Sequence, residues 1–172
     1  MMQKKVQIIS DGSLDLSQEL TKEKDIEVVP FYVSFDSETY QKEMVEVGVR
    51  EFYQEMVDHP TVFPKTSMPS VHDYYEVFEK HAKEKMPVIC ICITRKFSGS
   101  LQSATTAKDM ILEEYPDAQI TVIDSTVNTV LQGLYVLEAC RLRDMGLEYQ
   151  QIVDALLPIR ETGRIFFTIG SI

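Results

Sequence analysis

The chain has no tryptophan, and among its 172 residues only three cysteines, three histidines and seven glycines. No apolar run approaches the roughly 20 residues a membrane span requires, and the opening MMQKKVQIIS lacks the long apolar core of a signal peptide. Cys90, Cys92 and Cys140 are too few and too apolar in context for a disulfide framework, so a reducing, cytoplasmic compartment is expected. Basic residues number 17 against 27 acidic ones, a formal net charge of −10. That balance argues against nucleic acid or an anionic membrane as the main partner, because both need a basic face. Neither GxGxxG nor GxxxxGK[ST] occurs, so both nucleotide fingerprints are absent. His59, His72 and His81 are scattered, and Cys90 and Cys92 share a strand face without a second ligand pair. No metal site and no cofactor are expected from such spacing, and the two cysteines read as core.

What remains is a succession of short apolar runs and amphipathic stretches. VQIIS (6–10) reads as a strand stopped at Asp11-Gly12-Ser13. IEVVPFYVSF (26–35) reads as one or two extended pieces hinged at Pro30. A short helix over 50–60 is closed by Pro60. In SVHDYYEVFEKHAKEK (70–85), Ser70 and Asp73 form a capping box, and Tyr74, Phe78 and Ala82 make the buried stripe. His81 lies beside that stripe, a partly buried structural histidine.

VICICI (88–93) and QITVI (119–123) are continuous apolar runs of the kind buried on both faces of a sheet. Between them Ala104, Ala107, Ile111 and Tyr115 mark one helix face. A long helix from about Thr129 carries Leu131, Leu134, Tyr135, Leu142 and Met145, with Gly146 as its C-cap. A further helix spans about 149–160 and precedes RIFFTIG. Strands alternating with helices predict an α/β domain: three layers, α/β/α, around a mostly parallel sheet. No repeat, low-complexity tract or flexible linker interrupts it.

Hydroxyls cluster where strands end: Ser10-Asp11-Gly12-Ser13, then Thr66, Ser67 and Ser70 of KTSMPS, then Ser98-Gly99-Ser100 with Ser103, then Asp124-Ser125-Thr126. Each cluster alone suits helix capping. Gathered on one edge of a parallel sheet, with helix N-termini, they suit a carboxylate or phosphate. Ser98 as a nucleophile would need a base within reach. The GxSxG elbow is missing and no histidine follows a strand end, although His72 could complete a triad in space. Holding is favoured over attack, with a serine hydrolase acting on small acyl esters through Ser98 as the alternative.

In order and spacing, IISDGSLDL, IEVVPFYVSF, KTSMPS, KFSGSLQSA and IDSTVNTVLQGLYVLEA resemble the DegV family over essentially the whole chain. The resemblance implies a bacterial, non-catalytic fatty-acid-binding protein. Its long-chain fatty acid would lie in a tunnel between an N-terminal α/β domain and a C-terminal α+β domain. A separate fatty acid kinase would phosphorylate the presented carboxylate. It further implies that Thr66 and Ser98 grip the carboxylate, with Ser67, Gly99 and Ser100 as neighbours. Hydrogen bonds to a charged carboxylate contribute about 1.5–3 kcal/mol each. A long acyl chain, at about 0.8 kcal/mol per buried CH₂, contributes on the order of 10 kcal/mol gross. On this reading the tunnel supplies affinity and the hydroxyls fix which end faces out.

The chain departs from the family pattern in three places. Gly12 stands where a hydroxyl is usual, Ser100 where threonine is commoner, and Lys42-Glu43 where Asp-Gly is frequent. The family's Gly-Gly-Arg segment and a C-terminal histidine lie beyond RIFFTIGSI. The expected division is therefore a DegV-type domain over 1–163 and the start of a truncated second domain over 164–172, with Phe166, Phe167 and Ile169 exposed.

Overall fold

The computed structural model describes residues 6–166 and residue 168. Four parallel strands form the main sheet: β1 (Gln7–Asp11), β2 (Ile26–Val29), β6 (Val88–Cys92) and β7 (Ile120–Asp124), in the order β2-β1-β6-β7. In register, Ile9 lies opposite Cys90 and Cys90 opposite Val122. Side-chain alternation splits the sheet's two faces. Ile8, Ile89 and Ile91 pack under α5 (Thr129–Asp144) and α6 (Tyr149–Ile159). Ile9, Cys90 and Cys92 pack under α3 (Val71–Lys83) and α4 (Ser100–Glu114). This is the expected α/β/α sandwich, with both cysteines fully buried. Complete burial of each Ile or Val in these central strands stabilises the fold by about 1.5–3 kcal/mol.

The apolar residues that the sequence places on α5 divide between core and surface. Leu134 and Met145 are more than half exposed, and the face that enters the core carries Gln132, Gly133, Tyr135, Val136, Ala139, Cys140 and Leu142. Small residues let this helix approach the sheet, so the largest apolar side chains are not the inward ones. Tyr115 is half-buried at the end of α4. A short helix, α1 (Gln18–Glu23), capped by the Ser17 hydroxyl, was not legible in the hydrophobic pattern. His81 is buried with its Nε2 2.6 Å from Glu27, a structural position as expected.

The larger correction concerns residues 32–67. β3 (Tyr32–Ser34), β4 (Gln41–Lys42) and β5 (Lys65–Ser67) form a separate antiparallel sheet in the order β4-β3-β5. Thr66 and Ser67 therefore sit in a second sheet, not on the edge of the parallel one. The helix expected over 50–60 is present as α2 (Val49–Asp58), yet it has no buried residue. Phe52 packs on Phe35, while Val49, Tyr53, Met56 and Val57 stay open.

Asp73 ties the small sheet to the sandwich. Its carboxylate closes the expected capping box with Ser70, accepts from the Tyr32 hydroxyl at 2.8 Å and lies 3.2 Å from Lys42 Nζ. Burial opposes its ionisation, but bonds from the Ser70 hydroxyl and amide, Tyr32 and Lys42 prevail, and the carboxyl falls from 3.8 to about 2. A depressed carboxyl contributes stability above its unfolded value that is lost as pH falls through its folded one, here on the order of 2 kcal/mol. Asp73→Asn is expected to destabilise the protein by about that much at neutral pH. In acid the wild-type protein loses this contribution and the gap closes. Urea unfolding of both proteins at neutral pH and in acid checks this, and a gap that stays constant would contradict it.

Candidate functional site

The loop between β6 and α4 is built around Ser98. Amides of Phe97 and Ser98 donate to the Thr94 carbonyl, and the Ser98 Oγ accepts from the Ser100 amide at 3.2 Å. Ser98 thus caps α4 from two residues before its first turn. Its hydroxyl proton has no acceptor among the described residues, so it is free to be given to a ligand. The first turn of α4 carries no acidic side chain, and a helix of this length presents partial positive charge there. Gly99 permits a close approach, since a Cβ on it would lie 2.6 Å from the Met68 sulfur. Met68 follows KTS, so this contact brings the two hydroxyl motifs together.

Thr66 and Ser67 are both exposed but point to opposite faces of their strand. Cross-strand partners share a face. Thr66 pairs with Val33, which is buried, and Ser67 with Tyr32. Thr66 accordingly shares the face of Val33, and Ser67 that of Tyr32, whose hydroxyl reaches Asp73 on α3. The expected set of five residues divides. Met68, two residues after Thr66, lies against Gly99 and so brings the segment of Thr66 to the loop that carries Ser98. Ser67 is on the other face. Ser100 is fully buried with its hydroxyl committed to Asp11, so it has no donor left for a ligand.

Asp11 is the group that sequence reasoning passed over. Fully buried at the end of β1, it accepts from Gln132 Nε2 at 2.8 Å, the Ile93 amide at 2.9 Å and Ser100 Oγ at 2.7 Å. Burial pushes its carboxyl above the usual range, while the donors from Gln132, Ile93, Ser100 and Ser13 pull the other way. Tyr74 OH, whose proton burial retains, sits 2.6 Å from Ser100 Oγ and completes the chain. The sequence signal was an acidic residue inside an apolar strand end, which needs partners wherever it is buried.

Two departures from the family pattern turn out to be one feature. A Cβ on Gly12 would fall 1.7 Å from Glu43 Oε1, which accepts from the Phe31 amide at 3.0 Å. Glu43 fills the space that glycine leaves. Gly12→Ser is expected to destabilise the wild-type background but not a Glu43→Gly background, with a coupling of about 1–2 kcal/mol in a double-mutant cycle. Additive effects would refute the pairing.

Among the described residues no base is bonded to the Ser98 hydroxyl. His72 is exposed and lies 3.5 Å from Glu76 on α3, so the triad expectation finds no geometry among the described residues. They also contain no cluster of His, Cys, Asp or Glu able to hold a metal, and no helix long and apolar enough to cross a membrane. A depression of about 520 Å³ lies around His81 and Glu27 at the opposite edge and contains neither hydroxyl motif. A smaller cleft of about 340 Å³ adjoins the Ser98 loop, lined by Thr94, Arg95 and Lys96 with Arg160 across it. Exposed apolar side chains surround the motifs: Phe97, Met68, Phe63 and Val62. Phe166 is exposed as expected, and Phe167 and Ile169 lie outside the described residues.

The fold is that of a parallel α/β sandwich whose C-terminal sheet edge gathers hydroxyl-bearing loops. The chain belongs to the DegV family, whose sequence model matches residues 5–172. A DegV domain-containing protein of Clostridium acetobutylicum is 33% identical over 153 residues, covering 89% of this chain and 53% of the relative. Among solved structures, a stearic acid-binding protein from Eubacterium ventriosum is 46% identical with a TM-score of 0.84, covering 88% of this chain and 52% of that one. A fatty-acid-binding DegV family protein from Thermus thermophilus is 29% identical with a TM-score of 0.75, covering 91% and 53%. The chain thus spans about half the length of the relatives it matches.

Proposed function

We propose that this chain is the head-group half of a fatty-acid-binding protein. Thr66 and Ser98 donate to the carboxylate of a long-chain fatty acid, and the acyl chain runs over Phe97, Met68 and the open face of α2. The observation that carries this reading is the Ser98 hydroxyl, whose oxygen is satisfied by the Ser100 amide and whose proton is unspent, beside uncovered apolar side chains. Contiguous apolar surface of this kind marks a ligand or partner. The likeness to the stearic acid-binding protein supports the choice of ligand. A second domain, as the family resemblance implies, would close the tunnel over these side chains. The lack of a base at Ser98 among the described residues favours a non-catalytic carrier, and on this reading the reaction at the carboxylate belongs to a separate fatty acid kinase.

The test is native mass spectrometry of the gently purified protein. A co-purified fatty acid is expected, and Thr66→Ala with Ser98→Ala should reduce its occupancy by roughly tenfold or more, the loss of two hydrogen bonds to a charged group. Undiminished occupancy in the double variant would move the site elsewhere. Turnover of short acyl esters that disappears in Ser98→Ala would replace the carrier with a hydrolase.

A further inference from the structure

The Ser100 amide orients the Ser98 hydroxyl by donating to its oxygen, and the backbone there is held from below. Asp11 Oδ2 receives both the Ile93 amide, at the start of the loop, and the Ser100 hydroxyl, at its end. One buried oxygen therefore clamps the two ends of the segment that carries Ser98. Gln132 Nε2 holds the other oxygen of the same carboxylate, so the clamp is fixed to α5 as well as to β1. Tyr74 adds a link from Ser100 to α3, the helix that starts directly after the Thr66 strand.

We infer that Asp11 and Ser100 are positioning residues for the head-group site: Ser100 does not touch the ligand, but hands its side chain to Asp11 and its amide to Ser98, and so aims the Ser98 proton outward. This rests on the proposed carboxylate grip, and it reassigns Ser100 from the ligand to the support beneath it. A clamp of this type predicts an effect confined to the charged head group, whereas a general packing defect would weaken an apolar chain equally.

The experiment compares binding of a long-chain fatty acid and the fatty alcohol of equal length to wild type, Ser98→Ala and Ser100→Ala. Amide hydrogen exchange at residue 100 is followed in parallel. In Ser100→Ala, fatty acid affinity is expected to fall roughly tenfold, as for one lost charge-assisted hydrogen bond. Alcohol affinity should stay within about twofold, and the residue 100 amide should exchange at least about tenfold faster while the α4 interior stays protected. Equal loss for acid and alcohol would make Ser100 a packing residue and overturn the inference. So would unchanged acid affinity in Ser100→Ala alongside a loss in Ser98→Ala. Unchanged acid affinity in Ser98→Ala would instead refute the carboxylate grip. Should neither lipid bind, the exchange rate decides alone, since unaltered protection at residue 100 shows that Ser100 does not hold the loop.

Discussion

Gly133→Ala is expected to lower stability by about 2 kcal/mol, against the usual gain of up to about 1 kcal/mol for this change inside a helix. A Cβ at 133 would lie 2.3 Å from the Leu14 carbonyl oxygen and 2.8 Å from Leu16 Cδ2. The first of these is backbone, in the 3₁₀ turn Gly12–Leu14 that follows β1, and cannot rotate aside. That turn is anchored on one side by Asp11 and on the other by Ser13 Oγ, which accepts from the Thr129 amide at 3.4 Å. To admit a methyl group, α5 must lift from the sheet over Val136 and Cys140, both buried. A chain of this length loses about 2–4 °C of melting temperature per kcal/mol, so a fall of about 4–8 °C is expected in calorimetry. A neutral or raised melting temperature would show that the turn gives way freely.

Asp11→Ala carries the second large effect, about 3–5 kcal/mol. It leaves the Gln132 amide, the Ile93 amide and the Ser100 hydroxyl without their acceptor in a site closed to water. Asp11→Asn should cost clearly less. Gln132 Oε1 is buried without a partner among the described residues, and a turn of that amide lets it accept from Asn. Equal losses in the two variants, measured by urea unfolding, would sink this account. The pH dependence at Asp11 opposes that at Asp73. Its folded value is raised, so protonation favours the fold and its contribution grows as pH falls through that value.

The sandwich was legible because its signals are redundant. VICICI announced a buried strand and the Ser70–Asp73 box marked the start of α3 to the residue, while QITVI announced a strand that, at the sheet edge, is only partly buried. β3 was legible as the second extended piece after Pro30, but its sheet was not, because β4 and β5 have two and three residues, too few for period-two alternation to show. On α5 the inward face does not follow from the large apolar residues, because Gly133 and Ala139 set the approach to the sheet. In the site, the hydroxyl motifs were visible, but their roles were not. Which strand face Thr66 and Ser67 each take depends on their pairing with Val33 and Tyr32, and Ser100 is diverted by a carboxylate 89 positions away in the chain.

Thr66 lies in the small sheet and Ser98 in a loop of the sandwich, two bodies joined through Tyr32–Asp73, Lys42–Asp73 and the seating of Met68 on Gly99. An anion held by both hydroxyls would bridge these bodies like a removable rivet. Occupancy would then register least in the sandwich core and most in the small sheet and α2, whose slow-exchanging amides would report a bound guest before any change in the global unfolding temperature did.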